Sequence, residues 1–390
     1  MKTSGNLINK IGMMVLALQL LPGGLNLSAQ TVPFRSQASE LHETYNLSPN
    51  GSVSVNNPSG NTVISSWDEN RVRVDAVKRG KNKDEFSQIE IVVSSAPDRI
   101  EIKAIRAGQS GWRSGVSVDF EIKVPKTADL NSIDSASGNI VITGPVLKVN
   151  ARSTSGNLTI NGVSSSVLAQ SSSGSIIAGQ IDGDAVANTS SGNVKLTGVR
   201  GRATTRTSSG KIILDQIGGD IQAESFSENI TVTGAQGRLV ANTLSGSILA
   251  NNISEGAQAR SVSGNVEIVD SKGRITANST NGNVILTNLE SREISAKTTS
   301  GTVRFTGRLL SEGHYEYENF NGDVVLILPA DSSFLITTTS RSGAIKSEFQ
   351  FQLNQIPQST DRGLLSGTVG KGGAVIKAST FNGNVLLKKM

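Results

Sequence analysis

The phrase Ser-Gly-Asn, or a close variant, returns every eighteen residues through the middle of this 390-residue chain. It starts at Ser137, Ser155, Ser173, Ser191, Ser209, Ser227, Ser245, Ser263 and Asn281, with looser starts at Ser300 and Asn321. A short fixed period without phase slips is the mark of a solenoid, in which each repeat is one coil stacked on the next. Such a chain grows in one dimension, so its length does not count domains, and its function is to be sought on surfaces before pockets.

Numbering eighteen positions from the Ser of the phrase exposes the coil. Position four is apolar in every copy, from Ile140, Leu158 and Ile176 to Val284. Position six is Ile142, Ile160, Ala178, Leu196 and onward to Leu286, while position five between them varies from Lys195 to Glu267 to Ile285. This period-two alternation predicts a strand over positions three to seven with four and six turned inward. A second strand is predicted around position thirteen, Val149 to Ile275, and position fifteen, which is alanine except at Thr205. Large residues facing alanine predict a narrow cross-section, with the aliphatic residues of position nine closing one end. The fold class is therefore all-β: a parallel β-solenoid, or β-helix, of two-strand coils.

The turns carry their own pattern. Position two is glycine except at Glu228, which predicts positive φ or close backbone approach there. Asn fills position three at Asn139, Asn157, Asn193, Asn229, Asn265 and Asn283, and stacked amides are expected to bond along the axis. Position twelve runs Asp184, Arg202, Asp220, Arg238, and position sixteen sets Arg206 beside Glu224; an in-register stack makes these opposite charges neighbours.

The chain is expected to divide into four parts. Residues 1–29 are expected to be a secretory signal: Lys2 and Lys10 precede or flank the apolar run Ile11–Leu21, and Pro22-Gly23-Gly24 breaks it before Ser28-Ala29. That run is too short for the about twenty residues a transmembrane helix needs, and the mature chain is expected to have no span. Residues 30–136 are expected to be an N-terminal β-section that caps the stack, 137–299 the regular coils, and 300–390 irregular coils with a C-terminal cap. Lys388 and Lys389 would place charge on a terminal edge strand.

Composition removes several functions. There is no cysteine, which excludes disulfides and thiolate metal sites. A formal charge of +5 and 4% aromatic residues do not suit nucleic-acid binding. The two histidines, His42 and His314, are far apart, and no Asp column recurs as in a calcium β-roll. Neither cofactor nor metal is expected.

The order of features also resembles a known group. A leading β-section with the segments Asn61–Asp68 and Phe120–Pro125, followed by Ser-Gly-Asn-(Ile/Val) coils, is similar to the bacterial "putative adhesin" β-strand-repeat proteins, a domain of unknown function. The resemblance covers about residues 45–390 and implies a β-solenoid at the cell envelope, with no catalytic residues to carry over.

Two functions are weighed. The first is an exported, non-enzymatic, adhesin-like binding or structural module in the periplasm, at the cell surface or outside the cell. Its expected partner is an envelope or extracellular polysaccharide or a surface protein. Its candidate ligand patch is Tyr315, Tyr317 and Phe320, whose rings would stack on sugars. The structural alternative is that these residues fill an irregular coil, and Trp67 and Trp112 carry the same ambiguity. The second function is a carbohydrate-active β-helix enzyme such as a polysaccharide lyase or hydrolase. It needs converging carboxylates, for which Asp182, Asp184, Asp215, Asp220, Glu224 and Glu228 are the candidates. Those residues mostly sit at turn and register positions, and short coils provide no loops to wall a cleft, so no catalytic residue is assigned.

Overall fold

A computed structural model describes residues 34–36, 39–80, 87–106, 115–353 and 363–390; the expected signal at 1–29 lies outside them. Two long sheets face each other. Among the described residues the front sheet has 17 strands and holds positions four to seven, and the back sheet has 19 strands and holds positions thirteen to seventeen. Successive coils pair in parallel exactly one repeat apart, Ile140 with Leu158 and Leu158 with Ile176 in front, Val149 with Val167 behind. The chain is a parallel β-solenoid. Among the described residues no helix is long and apolar enough to cross a membrane.

The core is one continuous seam. Ile176, Leu196, Ile217, Ile221 and Ala223 are buried, representing positions four, six, nine, thirteen and fifteen. Position nine does close one end of the coil, and where Ser271 replaces the aliphatic residue its hydroxyl accepts from the Ile253 N–H and donates to the Val269 carbonyl.

The turns decide between the two roles expected of glycine and add columns that were not expected. In the regular coils glycine at position two does not serve a left-handed backbone: a Cβ on Gly156 would lie 1.8 Å from the Gly138 carbonyl oxygen, and one on Gly210 1.7 Å from that of Gly192, whereas Gly60, Gly301 and Gly322 of the looser copies do have positive φ, 106°, 146° and 133°. Close stacking of turns is the reason in the regular coils. The left-handed column is position eight, where Gly162, Gly198 and Gly234 have φ of 81°, 65° and 69°, and Gln180, Gln216, Asn252, Asp270 and Asn288 have φ between 48° and 57°.

The asparagine column bonds along the axis, but to main chain. Asn139 Oδ1 accepts from the Asn157 N–H at 3.0 Å, Asn157 from Ser175 at 2.9 Å, and Asn193 from Lys211 at 2.8 Å. Position twelve works the same way, Asp184 accepting from the Arg202 N–H at 2.8 Å and Asp220 from the Arg238 N–H at 3.0 Å. Arg206 and Glu224 do pair, at 2.6 Å.

A third column, position seventeen, is invariably Ser or Thr from Ser153 to Ser279 and is buried. Thr189 Oγ1 donates to the Gly174 carbonyl at 2.9 Å and accepts from the Gly192 N–H at 3.2 Å, tying one glycine turn to the next.

Both ends of the stack are threaded out of chain order. The strands 52–59 and 62–67 make a coil that lies between the later coils 99–125 and 129–146: Val55 pairs with Ile102 on one side and Ile133 on the other, and Ile64 with Ile122 and Ile142. At the other end the last coil, Ala374–Asn382 and Val385–Lys389, slips between His314–Leu328 and Phe334–Ser347. Strand 385–389 is therefore internal as far as Leu387, while Lys388 and Lys389 run past the end of strand 345–347 and pair only with Ile327 and Leu328. Beyond these coils, antiparallel strands cap each end: 40–46 on 71–79 and 89–96 on 99–106 at one, 364–369 on 334–340 at the other.

Candidate binding groove

Position eighteen follows the buried hydroxyl and turns its side chain outward at the corner of the back sheet. In axial order the corner reads Phe226, Leu244, Val262, Thr280, Thr299, Phe320, Phe381, Arg341. The last three are neighbours only because coil 374–389 is inserted between its two neighbours. Phe226 is 60% and Phe320 49% exposed. At about 4.8 Å per rung the corner extends about 34 Å.

At one end three planar groups stack. The Phe320 and Phe381 rings lie 4.8 Å apart and 12° from parallel, and the Arg341 guanidinium carbon sits 4.9 Å from the Phe381 centroid. Stacked rings and a cation over a ring face each favour this order. The Phe320 face turned away from Phe381 closes a groove of about 690 Å³ whose walls include Arg260, Asn278, Thr280, Lys297 and Thr299. A second hollow of about 460 Å³ continues past Phe381 to Arg341 and Leu364. Beside the groove Lys297 holds Glu316 at 3.1 Å and Glu318 at 3.0 Å, and Lys377 reaches Glu316 at 3.4 Å. The hydrogen bond from Lys297 holds the Glu316 carboxyl below its ordinary range against partial burial. The groove thus has a planar apolar end wall and polar side chains along its sides, of which Lys297 and Glu318 are held by their ion pair.

The expected ligand patch is divided by the sheet. Phe320 is at the surface, but Tyr315 and Tyr317 point inward and are 2% and 0% exposed. Their rings pack on Phe305 at 6.5 and 5.7 Å, and the Tyr315 hydroxyl donates to the Ser291 carbonyl and accepts from the Leu310 N–H. Alternation along strand 314–321 puts Tyr315, Tyr317 and Asn319 on the core face. Tyr317 takes the alanine column and both rings are buried, so neither has a face for a ligand. Phe381 and Arg341 replace them. Phe381 lies sixty-one residues from Phe320 in sequence, and only the position-eighteen phase common to both turns would have related them.

The carboxylates proposed for catalysis do not converge. Asp215 projects from the front sheet and Glu224 from the back, while Asp182, Asp184 and Asp220 are in turns. Asp182 pairs with Arg200 at 2.9 Å, Glu224 with Arg206, and Asp184 and Asp220 hold main-chain N–H groups. Glu228 uses its N–H to donate to Ser225 Oγ at 3.1 Å. Among the described residues no three His, Asp or Glu side chains form a group suited to a metal ion. Trp67 donates its indole N–H to the Arg71 carbonyl at 2.7 Å, and Trp112 lies outside the described residues.

A second charged hollow, about 600 Å³, lies on the front face of the N-terminal cap. There His42 Nδ1 is 2.7 Å from Asp75, Arg73 is 2.8 Å from the same carboxylate, and Arg79 pairs with Asp119. Its ion pairs occupy most of its charged groups, and its only exposed ring is the His42 imidazole, which is held by Asp75.

No curated protein matches this chain. Among solved structures, a "putative cell adhesion protein" from Clostridium sporogenes ATCC 15579 aligns over 90% of this chain and 100% of its own, at 10% identity and a TM-score of 0.16. The profile of the Toastrack DUF4097 family, a domain of unknown function, matches residues 50–276 and again 219–388. The two matches together take in the threaded coil at one end, the regular coils and the inserted coil at the other, and the chain belongs to the Toastrack family.

Proposed function

We propose that this chain is a non-enzymatic, adhesin-like binding module of the bacterial envelope that holds an extended polysaccharide along the corner groove. The carrying observation is the Phe320–Phe381–Arg341 stack opening onto a groove lined by polar side chains. Sugar rings offer one apolar face and a rim of hydroxyls, and a flat apolar wall flanked by donors and acceptors matches both. Export to the envelope, read from residues 1–29, is part of the same proposal. The scattered carboxylates, each drawn into turn or register contacts or alone on its face, favour binding over hydrolysis.

The test is retention of labelled envelope and extracellular polysaccharides by the chain from Gln30 onward, with release of new chain ends scored in the same assay. Retention that drops at least tenfold in Phe320→Ala and Phe381→Ala, without new chain ends, supports the reading. Release of chain ends, or retention indifferent to both substitutions, overturns it.

A further inference from the structure

The outward face of the front sheet carries a second period, two coils long. At position five Ile177, Ile213, Leu249 and Ile285 alternate with Lys195, Thr231 and Glu267, in register from coil to coil. Ile177, Ile213 and Leu249 are 50%, 41% and 38% exposed, although every one lies in a well-formed strand. The aliphatic side chains recur about every 9.6 Å, twice the rung spacing. Lys195 and Glu267 make no ion pair or side-chain hydrogen bond among the described residues. The column is symmetric in kind about Thr231: one coil away on either side lie Ile213 and Leu249, two coils away Lys195 and Glu267, three coils away Ile177 and Ile285.

We propose that this face is the meeting surface of two copies of the chain, related by a two-fold axis that passes through Thr231 parallel to the strands. Such an axis reverses the stacking direction and keeps position five opposite position five. Ile213 of one copy then faces Leu249 of the other, Ile177 faces Ile285, and Lys195 faces Glu267, each contact occurring twice as an isologous interface requires. In the neighbouring outward column Asp215 faces Asn251 and Thr197 faces Val269, so no like charges meet. The other two-fold arrangement, with its axis along the solenoid, sets Lys195 on Lys195 and Glu267 on Glu267. The charge pattern therefore selects the antiparallel pair by penalising the parallel one. From Ile177 to Ile285 the patch measures about 29 Å by about 20 Å, below the about 800 Å² per partner of a standard stable interface, so association falls in the micromolar range or weaker. The proposal is independent of the corner groove, which lies on the other sheet.

Sedimentation velocity across a concentration series tests it, with a cross-linking arm. A monomer–dimer equilibrium is expected. Lys195→Glu weakens it about tenfold by setting like charges opposite at two places, and Lys195→Glu combined with Glu267→Lys restores it. The chain has no cysteine, so Thr231→Cys supplies a single thiol. Facing sheets are about 10 Å apart, so Cys at this site is captured as a dimer by a bismaleimide of that reach, while Lys195→Cys, several rungs from its own copy, is not. A chain that stays monomeric to about 1 mM, a dimer indifferent to the charge reversal, or preferential cross-linking through position 195 overturns the proposal.

Discussion

The hydroxyl of Thr207 donates to the carbonyl of Gly192 at 3.1 Å, and the same oxygen accepts from the Gly210 N–H at 3.1 Å. One buried side chain thereby serves two turn groups in successive coils, at the very point where missing Cβ atoms let the turns approach. Thr207→Val keeps the shape and removes both bonds. A buried donor and acceptor lose their partner, so a loss of about 1–3 kcal/mol is expected, with Thr207→Ser close to wild type. Urea unfolding with an unchanged m-value measures it; equal stability of the Val and Ser variants would show that the hydroxyl column is incidental.

The two glycine columns answer differently to substitution. At position eight the requirement is the left-handed region, which Asn252 and Asn288 also occupy. Gly198→Asn is expected to change stability by less than about 0.5 kcal/mol, and Gln216→Gly, relieving a non-glycine at φ 56°, to gain about 1 kcal/mol. At position two the requirement is space. Gly210→Asn or Gly210→Ala places a Cβ against the Gly192 carbonyl and is expected to cost about 1–3 kcal/mol, as overpacking does. Thermal denaturation of the four variants separates the columns, and tolerance of Ala at 210 would contradict the close-approach argument.

Positions four, six, thirteen and fifteen were readable from sequence because an in-register parallel stack puts the same phase in the same environment in every coil. Ala178 and Leu214 share a role that a single strand would never reveal. Position eight was hidden: Gln180 and Gln216 are not residues that announce a left-handed turn, and of the two roles open to the position-two glycines the regular coils use close approach. The aromatic corner was hidden for a different reason. Axial order departs from chain order at both ends, so Phe381 reaches Phe320 through an insertion that local periodicity does not encode. Tyr315 and Tyr317 alternate correctly for one face of a strand, but alternation alone does not say which face is buried, and Tyr317, in the column of Ala277 and Ala296, broke the alanine rule that would have assigned the pair to the core.

The coil is also a unit of deletion. Removing Ser191–Ser208 joins Ser190 to Ser209 and brings Lys211 under Ser175, whose hydroxyl already serves as the acceptor for position three of the next coil at Asn193. Every column keeps its phase. The shortened chain is expected to fold with the same circular-dichroism band shape and a cooperative transition, as repeat architectures permit. Removing nine residues exchanges front and back strands and is expected to abolish that transition. If both deletions fold equally well, the eighteen-residue unit is not the structural one.

The N-terminal cap has a pH dependence of its own. Strand 40–46 is an outer strand of the front sheet, and His42 ties it to Asp75 on strand 71–79. The hydrogen bond to Asp75, with help from Glu40, raises His42 above its ordinary 6.5. Asp75 is lowered from its ordinary 3.8 because hydrogen bonds from His42 and Arg73 outweigh its partial burial. The raised histidine contributes fully below 6.5 and loses its contribution as pH rises through its folded-state value. The lowered aspartate contributes above 3.8 and loses its contribution as pH falls through its own folded-state value. The tether is therefore complete between those ordinary values and loosens on either side. With only two histidines in the chain, a proton NMR titration resolves His42, and His314→Gln assigns it. The midpoint is expected above 6.5, returning toward it in Asp75→Asn, with amide exchange in strand 40–46 accelerating once His42 has deprotonated. A midpoint at or below 6.5 in the unmodified chain, or one that Asp75→Asn does not move, would mean that the His42–Asp75 contact does not hold the cap in solution.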